Sequence, residues 1–393
     1  MHHALPVIPL ASYASPSLGR VAMGAVAALA PARLIVAFVT LLVLVLAGRA
    51  VDLLHFTAGH QPIRVDAVDP ESPWGGAVWT ADTGTEFVGP ASAMASGLIA
   101  SINALVQGLW HVSPSEMLTV LADGFGRVPA AVISVAPWTS ALWLAAFMMI
   151  ASVGGGGLAR MTALEAGRGE KLTSRQAALW LRGAGPHLIL VPLAPAALVA
   201  ATAIVVVLLG VTVRLLYGIP VLNIVGGLLY GLVLAGSLAI VVTGGAALLG
   251  WPWSIAAAAC GDADPLDATV RSTSYIMRHP LRAVALAATS VAAFAAGISV
   301  VGFVAWMTLR LAAWTVGEFP RAAGGTQGTT LSLIEMWEWL VFAAVLAYAF
   351  SCAIDLATRG YMYLRFVCDG QDPTALDGVP LGRPAPVTPP TSV

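Results

Sequence analysis

Six stretches of the chain are apolar at nearly every position: about 34 to 54, 134 to 157, 190 to 214, 221 to 249, 281 to 308 and 338 to 358. A helix crossing a ~30 Å hydrocarbon layer needs about 20 such residues, so each stretch is long enough to span. In a bilayer every backbone N–H and C=O must pair within the protein, which leaves helices and closed barrels. Barrel strands alternate apolar and polar positions, whereas Ala203 to Val213 and Ala283 to Met307 are apolar on nearly all sides. The pattern predicts an all-α fold: a polytopic helical membrane protein of about six transmembrane helices, five and seven remaining open, with amphipathic interfacial helices.

One run is too long. Val221 to Cys260 is 40 residues, about 60 Å as a single helix and roughly twice what a membrane requires. Gly250-Trp251-Pro252-Trp253 is the expected break, because proline removes an intrahelical bond and tryptophan favours the interface. The reading is a span over 221 to 249 and an exit over 252 to 260, with a re-entrant segment as the rival.

Between the spans the period changes. Met94, Leu98, Ile102, Leu105 and Leu109 form one stripe of an amphipathic helix, and Ser113-Pro114-Ser115-Glu116 opens a short helix to about Leu121. Both belong to a large outer segment, 55 to 133, that lies on the membrane surface or folds over the bundle as a lid. Two other loops share a design. Thr173 with Gln176 is a capping-box pair opening a helix to about Arg182, which Gly183 and Pro186 terminate. In the second, Asp264 caps, Pro265 takes the first helical position, Asp267 faces the positive helix end and Pro280 stops the helix. Leu266, Val270, Thr273 and Met277 share a face there, and Asp267 can pair with Arg271 four residues on. The unit of span, amphipathic helix, proline and span thus occurs twice, a repeat in pattern and not in residue identity.

Composition agrees. Of 393 residues 58% are hydrophobic and 10% charged, with a mean hydropathy of +0.85; soluble domains carry about 25% charge. Thirteen of the 19 Lys and Arg residues fall on one side of the six spans, which by the positive-inside rule puts both termini in the cytosol. The basic residues form no run, so nucleic acid is not an expected partner. Val21 to Ala30 ends in Ala28-Leu29-Ala30, superficially a signal-peptide cleavage site, but 19 residues precede Arg20 and the run is mostly Ala, Val and Gly. A short interfacial helix stopped by Pro31 fits better. The organisation expected is a cytosolic segment over 1 to 33, a membrane domain over 34 to 368, and a Pro-rich disordered tail over 369 to 393.

Gly154-Gly155-Gly156-Gly157-Leu158-Ala159-Arg160 through Glu165, then Asp264-Pro265-Leu266-Asp267 through Tyr275 with His279-Pro280, and Tyr363-Leu364-Arg365 before Asp369-Gly370 resemble a group of uncharacterised bacterial polytopic membrane proteins. More distantly, the second stretch is similar to the membrane domain attached to some glycerophosphodiester phosphodiesterases. The resemblance covers roughly 134 to 375 and implies an architecture, with no catalytic domain and no site residue.

Candidate chemistry is sparse. Cys260, Cys352 and Cys368 show no disulfide framework, and the seven histidines form no metal-binding pair. Asp262, Asp264 and Asp267 could hold Mg²⁺ beside a phosphate headgroup, but they read equally as cap and first-turn acids. Asp369-Gly370-Gln371-Asp372 matches only part of a headgroup-transferase motif. Gly154 to Gly157 follows no strand and precedes no Gly-Lys-Ser/Thr, so it reads as a close helix contact or a bend, not a phosphate loop. Gly227 with Gly231, and Ala285, Thr289, Ala293 and Gly297, have the small-residue spacing of helix-packing stripes. Asp355, the deepest acid, has Arg359 four residues on and reads as an interfacial ion pair. These observations predict an organising, anchoring or accessory membrane protein without a cofactor, whose partners are membrane lipids and other membrane proteins. A small-molecule or lipid permease is the alternative, and a metal-dependent lipid enzyme the third.

Overall fold

The computed structural model describes residues 17–60, 63–65, 86–99, 128–217, 222–261, 264–316, 328–371 and 376. In chain order the helices are α1 (Leu18–Ala22), α2 (Gly24–Ala27), α3 (Pro31–Thr57), α4 (Pro90–Ile99), α5 (Val128–Val135), α6 (Pro137–Arg168), α7 (Ser174–Tyr217), α8 (Asn223–Cys260), α9 (Pro265–Arg278), α10 (Pro280–Val316) and α11 (Gly328–Asp369). Strands β1 (Ile63–Val65) and β2 (Glu86–Val88) pair antiparallel, Arg64 opposite Phe87, as the one ribbon among the described residues. The fold is all-α and polytopic. Six helices are long and apolar enough to cross a membrane: Pro31–Thr57, Pro137–Arg168, Ser174–Tyr217, Asn223–Ala247, Pro280–Ala312 and Met336–Asp369.

Two expected breaks are absent. Helix α8 runs 38 residues straight through Pro252, and α7 runs 44 residues through Pro186, Pro192 and Pro195. Proline costs a helix one backbone bond, but tertiary burial outweighs that loss. Ile255, Ala256, Ala257, Ala259 and Cys260 beyond Pro252 are all buried, and the Trp251 indole donates to Ser152 Oγ at 3.0 Å. Trp251 is therefore a pin between α8 and α6, and residues 252–260 continue the helix into the layer where α9 packs, with no break at Gly250 to Trp253 and no re-entrant turn. In α7, Leu188 and Val191 are buried beyond the Gly183 and Pro186 expected to end the helix. The capping box at its start forms: Thr173 N–H donates to Gln176 Oε1 at 2.9 Å, and Gln176 N–H to Thr173 Oγ1 at 3.3 Å.

Helix α6 is the hub. Successive residues of an α-helix point about 100° apart, so four in a row look in all directions. A Cβ at Gly154 would overlap Thr40 of α3. At Gly155 it would meet Ile354 of α11 and Ile255 of α8, and at Gly156 and Gly157 Leu188 and Leu181 of α7. The glycine run is a close helix contact made with four helices at one level.

The packed core lies toward one end of the bundle, where α3, α7 and α10 begin and α6, α8 and α11 finish. Helices α1, α2 and α9 pack into the same layer, called here the α9 end. Above it α7 and α8 run antiparallel, Gly236 against Val206 and Gly244 against Val199, and expose apolar side chains such as Leu198, Ile204, Leu228 and Val241. Such surfaces match lipid tails. The segment before Pro31 packs one side on the core through Val21, Ala25 and Ala28 and leaves Met23, Val26 and Leu29 exposed, and Pro31 starts α3 instead of stopping its predecessor. Of the tail expected from 369, Leu376 is buried in the core and its carbonyl accepts from Arg168. Most of the outer segment 55 to 133, including Ile102, Leu105, Leu109 and the Ser113 to Leu121 helix, lies outside the described residues, as does most of the tail beyond Gln371.

Candidate functional site

Asp355 sits in α11 where the hub, the first span and the N-terminal helices meet. Its carboxylate Oδ1 accepts from the Arg33 guanidinium and from Thr162 Oγ1 at 2.6 Å; Oδ2 takes Arg359 Nε at 2.8 Å. Arg33 also donates from Nη2 to Glu165 Oε2 at 2.6 Å. Arg33 and Asp355 are each 1% exposed. Two positive and two negative side chains thus form one neutral network across α3, α6 and α11. Charges removed from water are tolerated when the remaining hydrogen-bonding positions are also filled, and both carboxylate oxygens of Asp355 are. The i,i+4 pair of Asp355 and Arg359 is present, but Arg33 makes the site a buried cluster instead of a simple interfacial pair.

The N-terminal helices close over it. A Cβ at Gly24 would lie 2.6 Å from Asp355 Oδ2, so only glycine lets α2 rest on the carboxylate. Tyr348 donates its hydroxyl to the Ala25 carbonyl at 3.0 Å and Ser351 to that of Ala28 at 3.2 Å. These carbonyls end a helix of four residues and have no intrahelical partner, so α11 caps α2 from the side. Gly297 takes part, since a Cβ there would strike the Tyr348 hydroxyl and touch Ala25.

Other polar groups of this layer finish helix ends. Arg160 Nη1 donates to the Ala259 carbonyl at 3.1 Å in the last turn of α8, its guanidinium 5.7 Å from the Trp180 ring centre. Cations at helix C-termini are favourable in general. Tyr275 of α9 donates to the Asp369 carboxylate, and burial with that bond pushes its phenol up to about 12. Arg365 donates to Gln371.

A second polar layer lies near the far end of the bundle. Asp52 of α3, buried, accepts from the backbone N–H of Ala91 at 2.8 Å and Ser92 at 3.2 Å, and from Ser92 Oγ at 2.5 Å. It is the N-terminal cap of α4, supplied from 39 residues away. His55, one turn on, is fully buried with Nδ1 3.2 Å from Thr139 Oγ1 and its ring stacked on His60. From Arg33 to Asp52 is about 28 Å along α3, the thickness of a hydrocarbon layer.

The candidates read from sequence scatter. Among the described residues Gly227 and Gly231 have nothing within 4 Å of where a Cβ would sit, and they make no packing contact there. Of the other stripe, Ala293 and Gly297 contact the core, while Ala285 is exposed and Thr289, half-exposed, returns its hydroxyl to the Ala285 carbonyl. The stripe twists off the contact toward the start of α10. Asp264 occupies the cap position of α9, but its side chain makes no capping bond; Asp267 pairs with Arg271 at 2.7 Å; Asp262 lies outside the described residues. Among the described residues no group of three His, Cys, Asp or Glu is placed to hold a metal ion, and the three cysteines are free thiols. Sequence reasoning missed Arg33, Thr162, Glu165 and Asp52. The available signal was an arginine two residues inside a proline-initiated span, where a charge that does not face water needs a partner. No protein family, characterised protein or solved structure matches the chain.

Proposed function

We infer that the protein is a non-catalytic organising or accessory component of a bacterial inner membrane, with both termini in the cytosol. The observation that carries this reading is the closure of the bundle at Gly154 to Gly157. The level where a carrier would need room for a substrate is filled by Thr40, Ile255, Ile354 and Leu188 against bare backbone. The buried charges just beneath are spent on one another and on helix ends. The resemblance over 134 to 375 adds an architecture to this proposal and no activity.

Labelling separates this reading from a permease. Ala37 and Ala159 are fully buried in the core cluster that α3 and α6 share with α7, α8 and α11. In a protein with its three cysteines replaced, Ala37→Cys and Ala159→Cys should resist a membrane-impermeant maleimide from both faces of the membrane. A carrier that alternates its access would expose one of them, and rapid labelling from either side would transfer the assignment to a permease.

Orientation is tested with the same background. Ala58→Cys and Lys171→Cys, exposed beyond opposite ends of the spans, should label from opposite sides, Ala58→Cys in intact cells and Lys171→Cys only in inverted vesicles. The reverse pattern would invert the topology.

A further inference from the structure

Helix α9 has three faces where an ordinary surface helix has two. Pro265, Ala268, Ser272 and Tyr275 are buried against the bundle. At about 100° per residue, Leu266, Val270 and Met277 fall on nearly the opposite side, and they are 59%, 64% and 74% exposed. Asp267, Arg271 and Arg278 form a third, charged face between the two. In water, the side opposite the core is where a helix carries its charges; here it is apolar.

The apolar face does not end with the helix. After His279 and Pro280 it continues into Leu281 and Val284, 84% and 66% exposed, and from there onto the outward side chains of α10 such as Val291, Val300 and Phe303. That helix is one of the six long and apolar enough to cross a membrane. The stripe is therefore continuous with a surface that lipid tails cover, and the same covering explains it. The charged face has spare cation. Arg271 is paired with Asp267, but Arg278 is 62% exposed with Asp369 only at 3.7 Å, and exposed Arg282 has no ion pair among the described residues.

We propose that α9 lies in the headgroup layer as a docking surface for anionic phospholipid, its Leu266–Val270–Met277 stripe in the acyl boundary and Arg278 and Arg282 on the headgroup phosphates. Apolar burial and attraction to anionic lipid act together in interfacial helices, and juxtamembrane arginines gain from a negative leaflet. The proposal needs only the multi-pass placement, not the accessory role, so the two can fail separately.

The test uses the full chain in nanodiscs of phosphatidylcholine with a minority of phosphatidylglycerol. A nitroxide at Val270→Cys should be more accessible to oxygen than to a water-soluble nickel reagent, and one at Ser274→Cys the opposite. If the Val270 label is as accessible to nickel as the Ser274 label, the stripe faces water or a protein and the proposal falls. After detergent extraction the protein should retain phosphatidylglycerol enriched over phosphatidylcholine, with each of Arg278→Gln and Arg282→Gln lowering the enrichment on the order of fivefold. Unchanged enrichment in the double variant would overturn the headgroup assignment. So would equal thermal stabilisation of lipid-free protein by inorganic phosphate, which would indicate a free-anion site.

Discussion

Asp355→Leu is expected to lower stability by about 3 kcal/mol or more, the cost of leaving a buried charge without its partner. The substitution strands Arg33, which is 1% exposed and keeps only Glu165, itself 28% exposed. Arg359→Gln should cost less, about 1 kcal/mol, because Arg359 is 16% exposed and Asp355 retains Arg33 and Thr162. The double variant Arg33→Met with Asp355→Leu should recover much of the loss, since a buried pair replaced by apolar residues of similar volume is often neutral or better. Reversible unfolding in mild detergent measures all three. If Asp355→Leu and Arg359→Gln cost the same, the pair is a surface feature and the cluster has no core role.

How far this site could be read from the sequence follows from separation along the chain. Asp355 and Arg359 lie four residues apart, so helical geometry alone brings them together. Arg33 and Asp355 lie 322 residues apart, and nothing local marks one for the other. The same rule governs the spans. Each is legible because a hydrocarbon layer imposes a composition that a single helix must carry by itself. The continuity of α8 through Pro252 was not legible, because the residues that hold its last turns, Ile255 to Cys260, are held by α6 and α11 and not by their own propensity. Small-residue spacing failed in another way. Gly227 and Gly231 have the same spacing as a true contact, but spacing defines a face without saying what stands opposite it.

The two polar layers suggest why an apolar bundle spends charges at all. Between helices bathed in lipid there is no hydrophobic force to fix register, so packing and polar contacts must do it. Arg33, Glu165 and Asp355 set three helices at the α9 end, and Asp52 ties α3 to α4 near the far end. The glycine run fills the space between. Each device fixes one degree of freedom that the apolar runs leave open.

Alanine at the hub glycines should separate close contact from mere helix weakness. A helical Gly→Ala substitution with free space around it should stabilise by roughly 0.5–1 kcal/mol through backbone entropy, and Gly227→Ala and Gly231→Ala, with nothing within 4 Å, are expected to do so. Gly154→Ala should instead destabilise by about 1–3 kcal/mol or more. The new methyl would lie 2.8 Å from the Cβ of Thr40, an atom fixed to the α3 backbone, while the Thr40 hydroxyl is bonded to the Val36 carbonyl at 2.8 Å. Gly156→Ala should follow closely, because Leu188 is only 1% exposed and has nowhere to swing. Gly155→Ala should be the mildest of the three, meeting the far ends of Ile354 at 3.1 Å and Ile255 at 3.7 Å. The order Gly154, Gly156, Gly155 in unfolding midpoint, with gains at Gly227 and Gly231, would place α6 at the centre of the bundle. A uniform gain across all five would mean the helices stand further apart and that the bundle has room for a substrate, which would remove the main support for an accessory role.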